Sequence, residues 1–180
     1  VSVGALSVNS SPAVHRDIWD PMLINTKFVG ETAEEVEDLI KFEGPDTVAG
    51  FITEPISVPK GMVVPDDDYW PKLREICDKY GVLLVADEVI TGFGRRGKMF
   101  AMEHWGVTPD LMTFAKGVTS GYQPVGGVMA TPKIYEAFVG GNDKTFFHGY
   151  TYSGHPAAAA AGLANLDILE RENLVQNSAE

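Results

Sequence analysis

The sequence predicts an α/β fold built on a parallel sheet, and three features carry that prediction. Residues 47–53, 82–86 and 110–115 are short apolar runs of strand length. A helical pattern fills the interval between the first two, giving the order strand, loop, helix, strand. That order is the βαβ unit, which sets its strands parallel. The middle run, Val82-Leu83-Leu84-Val85-Ala86, has no polar alternation, as expected of a strand covered on both faces.

Taken in chain order, residues 1–30 mix Ser, Asn, Pro and Val without a sustained period and read as loop with short extended pieces. From 31 to 42, Val36, Leu39 and Ile40 recur at helical spacing among acids, and Gly44-Pro45 ends the run. The first strand, 47–53, stops at Glu54-Pro55, and the proline-rich stretch 56–66 is loop. The next helix has Asp68 as N-cap, Pro71 in its first turn and Gly81 as C-cap. Trp70, Leu73, Ile76, Cys77 and Tyr80 line its apolar face. A short helix over 99–105, a buried strand over 110–115, a further strand over 126–130 and a helix over 132–139 follow. From Pro156 a long helix begins, with alanine, the best helix former, through its first turns.

The chain has 180 residues, enough for one ordinary core, and a net charge of -11. That acidity disfavours nucleic acid and anionic membrane surfaces as partners. No run has the length of a transmembrane helix, and no signal peptide opens the chain. The single cysteine, Cys77, excludes an internal disulfide and fits a reducing compartment such as the cytoplasm. Both ends read like cuts through a longer protein.

Ligands of parallel α/β sheets bind beyond the carboxyl ends of the strands. The polar residues found there are Glu54, Asp87-Glu88 and Lys116. On position alone Lys116 has two readings. It is a solvated lysine with a packed stem, or an amine desolvated enough to attack a carbonyl. Asp87 likewise caps the strand or pairs with Arg95 or Arg96, or it holds a cationic group of a ligand. Gly92-Phe93-Gly94-Arg95-Arg96-Gly97 matches G-x-G-x-x-G, but Asp87 to Thr91 separate it from the strand and no acid closes a following strand, which argues against a dinucleotide site. His15, His104, His148 and His155 lack metal-ligand spacing, and no hydrolase triad is recognisable.

Four ordered blocks add more. Glu54-Pro55-Ile56, then Leu83-Leu84-Val85-Ala86-Asp87-Glu88-Val89-Ile90-Thr91-Gly92-Phe93-Gly94-Arg95-Arg96-Gly97, come first. Pro109-Asp110-Leu111-Met112-Thr113-Phe114-Ala115-Lys116-Gly117 and Gly149-Tyr150-Thr151-Tyr152-Ser153-Gly154-His155-Pro156 follow. Together they resemble the class III (omega) aminotransferases, in the amine–pyruvate branch. The resemblance implies fold type I, with residues 1–180 as the central part of the large domain that binds pyridoxal 5'-phosphate (PLP). The N-terminal segment and C-terminal small domain would lie outside the chain.

It also implies roles. Lys116 matches the Schiff-base lysine, Asp87 the acid on the pyridinium nitrogen, and Val89 a residue packed on one face of the ring. Thr151 matches a phosphate-binding threonine given by the neighbouring subunit of a homodimer, and Glu54 a glutamate on the substrate side. Arg95 and the glycines of its loop would be structural. The expected reaction is a ping-pong transfer of an amino group from an amine or ω-amino acid to a keto acid such as pyruvate. Alternatives are an aminomutase or decarboxylating transaminase on the same fold, or a fragment inactive by itself. The family's phosphate loop and stacking aromatic lie upstream of this stretch, where Gly4-Ala5-Leu6-Ser7 resembles the residues just after that aromatic. Its gating arginine lies downstream. Ser57-Val58-Pro59-Lys60-Gly61 departs from the glycine-rich run usual after the first block.

Overall fold

The computed structural model describes residues 3–9 and 16–180, the side chains at 16 and 17 excepted. His15 lies outside the described residues. The N-terminal stretch expected as loop contains a short helix, α1 (Val3–Ser7), and a 3-10 turn, Arg16–Trp19. Ser7 explains the local order. It is fully buried, its hydroxyl donates to the Val3 carbonyl at 2.7 Å, and it accepts the Leu23 N–H at 3.0 Å.

Helix α2 (Ala33–Glu43) starts at a capping box that the apolar spacing alone did not mark. The Thr32 hydroxyl accepts the Glu35 N–H at 3.2 Å, while the Glu35 carboxylate accepts the Thr32 N–H at 3.0 Å. Strand β1 (Gly50–Thr53) is shorter than expected, because Pro45–Thr47 closes a 3-10 turn against the end of α2. Thr47 fixes that turn by donating to the Glu43 and Gly44 carbonyls.

Helix α3 (Tyr69–Tyr80) ends as its sequence predicts, on Gly81 at φ 68°. Asp68 sits at the N-cap but makes no side-chain cap bond, pairing instead with Lys72 Nζ at 2.9 Å. Strand β2 (Leu83–Asp87) follows, then β3 (Leu111–Phe114) and β4 (Gly127–Ala130). The residues expected as helix before β3 form only a 3-10 turn, Ala101–His104.

The sheet order is β1-β2-β3-β4, and β1, β2 and β3 are parallel as expected. β4, expected as a strand without a direction, pairs antiparallel with β3, Phe114 facing Gly127, so the sheet is mostly parallel. Only a 3-10 turn, Lys116–Thr119, and a loop join the two strands. Without a crossover helix the chain turns back on itself. Glycine at 127 leaves room for the Phe114 ring, whose tip would stand 2.5 Å from a Cβ there.

The core joins α2 (Ala33, Val36, Ile40), α3 (Trp70, Leu73, Cys77) and β2 (Val82 just before it, Leu84, Ala86), with Met102. Burying each large apolar side chain there contributes ~1.5–3 kcal/mol. The apolar run of β2 suggested cover on both faces, yet its burial alternates. Leu84 and Ala86 are fully buried on the face with α2 and α3, while Leu83, Val85 and Asp87 are only half-buried. One face of the sheet is therefore sealed by this chain and the other is partly open.

Helix α4 (Pro132–Glu136) is shorter than its pattern, continuing to Val139 as i→i+3 turns. Helix α5 (Pro156–Arg171) packs on the Lys116–Thr119 turn, and α6 (Leu174–Ala179) follows it. Among the described residues no helix is long and apolar enough to cross a membrane.

Candidate active site

Because β1, β2 and β3 are adjacent and parallel, their carboxyl ends share one edge of the sheet. Thr53 is level with Ala86, so Glu54 follows β1 at the height of Asp87, the last residue of β2. Asp87 is in turn level with Thr113, and Lys116 begins the turn just beyond β3. The structure thus brings Glu54, Asp87 and Lys116 to a common edge. Their charges are felt at Glu54, whose carboxyl is pushed above its ordinary value. Burial is the main cause; the Ser57 hydroxyl opposes it, Asp87 adds to it, and Lys116 and Lys60 oppose it.

Asp87 forms no ion pair with Arg95 or Arg96, so the ion-pair reading of this carboxylate does not hold, while a cap-type contact is made with the Val89 N–H. Arg95 Nε donates instead to the Ile90 carbonyl at 2.7 Å, a structural contact. Both hydrogen bonds to the Asp87 carboxylate converge on Oδ1, from the Thr113 hydroxyl and from the Val89 N–H, each at 3.0 Å. Oδ2 takes no hydrogen bond from any described residue. The carboxylate is held by one oxygen and offers the other. Val89, half-buried beside it, shares in this arrangement through its backbone.

Thr113 escaped the sequence reading because a strand threonine carries no motif of its own. Its position two residues past Leu111, in register with Asp87, is the signal once the sheet is known. Glu88, its neighbour at the same strand end, is a structural residue. It is fully buried and accepts the Met102 N–H at 2.8 Å and the Thr91 hydroxyl. Its own N–H donates to the Thr113 carbonyl at 3.0 Å, which fixes the strand on which Asp87 and Val89 stand.

Lys116 is exposed and has φ 44°, a left-handed backbone that only glycine adopts freely. The glycine loop packs on it. A Cβ on Gly117 would stand 3.1 Å from Phe93 Cβ and 3.2 Å from the Gly92 carbonyl. Gly94 and Gly97 have φ 89° and 74°, so the loop is a series of turns and no helix opens at its third glycine, as a dinucleotide site requires.

Ser57 donates to Glu54 Oε2 at 3.0 Å, so the stretch that departs from the family pattern holds the glutamate in place. A cavity of about 1120 Å³ between residues 24–36 and β1 reaches Glu54 and Ser57 but not Asp87 or Lys116. The Asp87 and Lys116 part of the shared edge thus lies outside that cavity. Thr151 stands in an exposed turn, and among the described residues nothing hydrogen-bonds it to Asp87 or Lys116.

The family model for class-III aminotransferases matches residues 3–180. A diaminobutyrate–2-oxoglutarate transaminase of Halomonas elongata is 46% identical over 92% of this chain and 36% of its own. A putrescine–pyruvate aminotransferase of Pseudomonas aeruginosa is 51% identical over 80% of this chain and 31% of its own. Among solved structures, an amine transaminase from an uncultivated Pseudomonas species, in a PLP-bound form, superposes with a TM-score of 0.92 at 39% identity. It covers 98% of this chain, which covers 44% of it. The chain spans about a third of the length of the curated relatives it matches. With its family blocks in order and three of them converging on one sheet edge, the chain belongs to the class-III aminotransferases.

Proposed function

We propose that residues 1–180 are the central part of the large domain of a PLP-dependent transaminase. This enzyme moves an amino group from an amine or ω-amino acid to a keto acid such as pyruvate. The observation that carries the reading is the half-engaged Asp87 carboxylate on the same edge as the Lys116 amine. The donor set fits the cofactor: Oδ2 suits a protonated ring nitrogen, and an exposed lysine suits an aldehyde. PLP, when bound, supplies a ring that accepts an electron pair from the substrate carbon.

The chain's own residues divide the remaining work. Asp87 Oδ2 would face the ring nitrogen and favour its proton, while Thr113 and Val89 hold the carboxylate by Oδ1. The Val89 side chain would offer an apolar surface to one face of the ring. Lys116 Nζ would hold the cofactor through its aldehyde group, and as a free amine it would serve as base and then as acid for the substrate proton. Glu54, held by Ser57, faces the substrate side.

Thr151 serves the cofactor phosphate of a partner subunit in a homodimer. Its exposure, among exposed Phe146, Phe147, Tyr150 and Tyr152, supports that assembly. The cytoplasm is the proposed location. The names of the relatives include 2-oxoglutarate as well as pyruvate, so 2-oxoglutarate is the second acceptor to try.

The test uses the full-length protein. With added PLP it should show the visible absorbance of a lysine-bound cofactor and lose that band in Lys116→Ala. An amine with pyruvate should give alanine. A colourless protein that takes up no PLP would overturn the reading. A coloured protein that gives neither alanine from pyruvate nor glutamate from 2-oxoglutarate with any amine would turn it toward an aminomutase or a decarboxylating reaction.

A further inference from the structure

We infer that Asn165 is a positioning residue for Lys116. The inference rests on Lys116 carrying the cofactor. Asn165 lies on α5, 49 residues downstream of the lysine, and no block of the family resemblance includes it. Its side-chain amide is wholly engaged with the turn that Lys116 opens. Nδ2 donates to the Gly117 carbonyl at 3.0 Å and to the Val118 carbonyl at 3.2 Å, and Oδ1 accepts the Ser120 hydroxyl at 2.6 Å. The orientation of the amide follows from chemistry, since carbonyls only accept and must face its nitrogen. The Ser120 hydroxyl then locks the other end.

The turn needs such a clamp. It begins at Lys116 with φ 44° and is capped by Ser120 with φ 49°, both non-glycine residues in the left-handed region. Strained backbone of this kind persists only where the surroundings over-determine it. On one side the Gly92 carbonyl and the Phe93 side chain lie close against Gly117. On the other, Ala158, Gly162 and Asn165 fall at spacings of four and three, on one face of α5. Ala158 and Gly162 are buried, and a Cβ on Gly162 would meet the Val118 carbonyl at 3.8 Å, so the helix sits directly on the turn.

Packing alone sets the distance between helix and turn. The two bonds from Nδ2 set the rotation of the Gly117 and Val118 peptides and the Ser120 bond fixes the amide that makes them, which together restrain φ at Lys116. A change in that angle is magnified at the end of a four-carbon side chain. Asn165 therefore acts on the position of the Lys116 amine without touching substrate or cofactor.

The experiment compares wild type, Asn165→Ala and Ser120→Ala in the full-length, PLP-loaded protein. The readouts are kcat, KM for the amine, thermal midpoint, and the pH midpoint of the lysine-bound cofactor's absorbance. Asn165→Ala should lower kcat about 10- to 100-fold, the loss typical of a small misplacement of a reacting group, and shift the absorbance midpoint. KM for the amine should stay near wild type. Ser120→Ala removes one of the three bonds and should shift the same two readouts the same way by a smaller amount, about threefold to fivefold in kcat. It carries the test if Asn165→Ala fails to fold. A lower thermal midpoint with kcat and absorbance midpoint unchanged would overturn the inference, leaving Asn165 as packing. If the absorbance survives Lys116→Ala, the parent reading fails instead, and the two failures are distinguishable.

Discussion

Replacing Thr113 by valine removes one donor from the Asp87 carboxylate and little else. Thr113 is half-buried on β3, where a β-branched residue of the same shape suits the strand. Its backbone carbonyl, which accepts the Glu88 N–H, is unchanged by the substitution. What goes is the 3.0 Å bond from its hydroxyl to Asp87 Oδ1, leaving the Val89 N–H as the sole donor there. A hydrogen bond to a charged group contributes ~1.5–3 kcal/mol, and partial exposure favours the lower end. If that energy is expressed in the transition state, ~1.5 kcal/mol is about a tenfold loss of kcat. Steady-state kinetics with an amine and pyruvate, and equilibrium binding of PLP to the apo-protein, read this out in the full-length protein. Thr113→Ser, which keeps the hydroxyl, should recover most of the loss. Wild-type kcat and PLP affinity in Thr113→Val would refute the idea that this bond orients Asp87.

Two further expectations concern stability of the full-length protein. Asp110 accepts the Leu84 N–H at 2.9 Å and Arg74 Nη1 at 2.8 Å, tying the start of β3 to β2 and α3. Burial works to raise its carboxyl, but the Leu84 N–H and then the Arg74 guanidinium outweigh it and hold the group below its ordinary value. A depressed carboxylate contributes stability above its unfolded value, and that contribution is lost as pH falls through the folded one. Asp110→Asn should therefore cost about 1–2 kcal/mol in urea unfolding near neutral pH. The difference from wild type should vanish on the acid limb, and a pH-independent difference would contradict it. Gly97→Ala places a Cβ 2.7 Å from Ala179 Cβ at a residue with φ 74°. It should lower stability by at least ~1 kcal/mol and loosen α6, and an unchanged thermal midpoint would contradict the contact.

The sequence by itself determined the local elements and the chemistry on offer. Gly81 ends α3 in the left-handed region because only glycine takes that backbone without strain, and residue type is enough to see it. The apolar runs named β2 and β3 correctly, and the polar residue after each strand named Glu54, Asp87 and Lys116 as candidates. Periodicity, however, is blind to what lies across space. It placed 126–130 as a strand but could not give its direction, which follows from a short connection with no crossover helix. It read β2 as covered on both faces, because an apolar run does not reveal how much of each face its neighbours reach. Three decisions belonged to the tertiary structure. Sheet register put the Thr113 hydroxyl on Asp87, and the glycine loop folded onto Gly117. Helix α5 brought Asn165 to the lysine's turn. Each joins residues 24 or more apart in the chain, and such pairings are fixed by packing geometry.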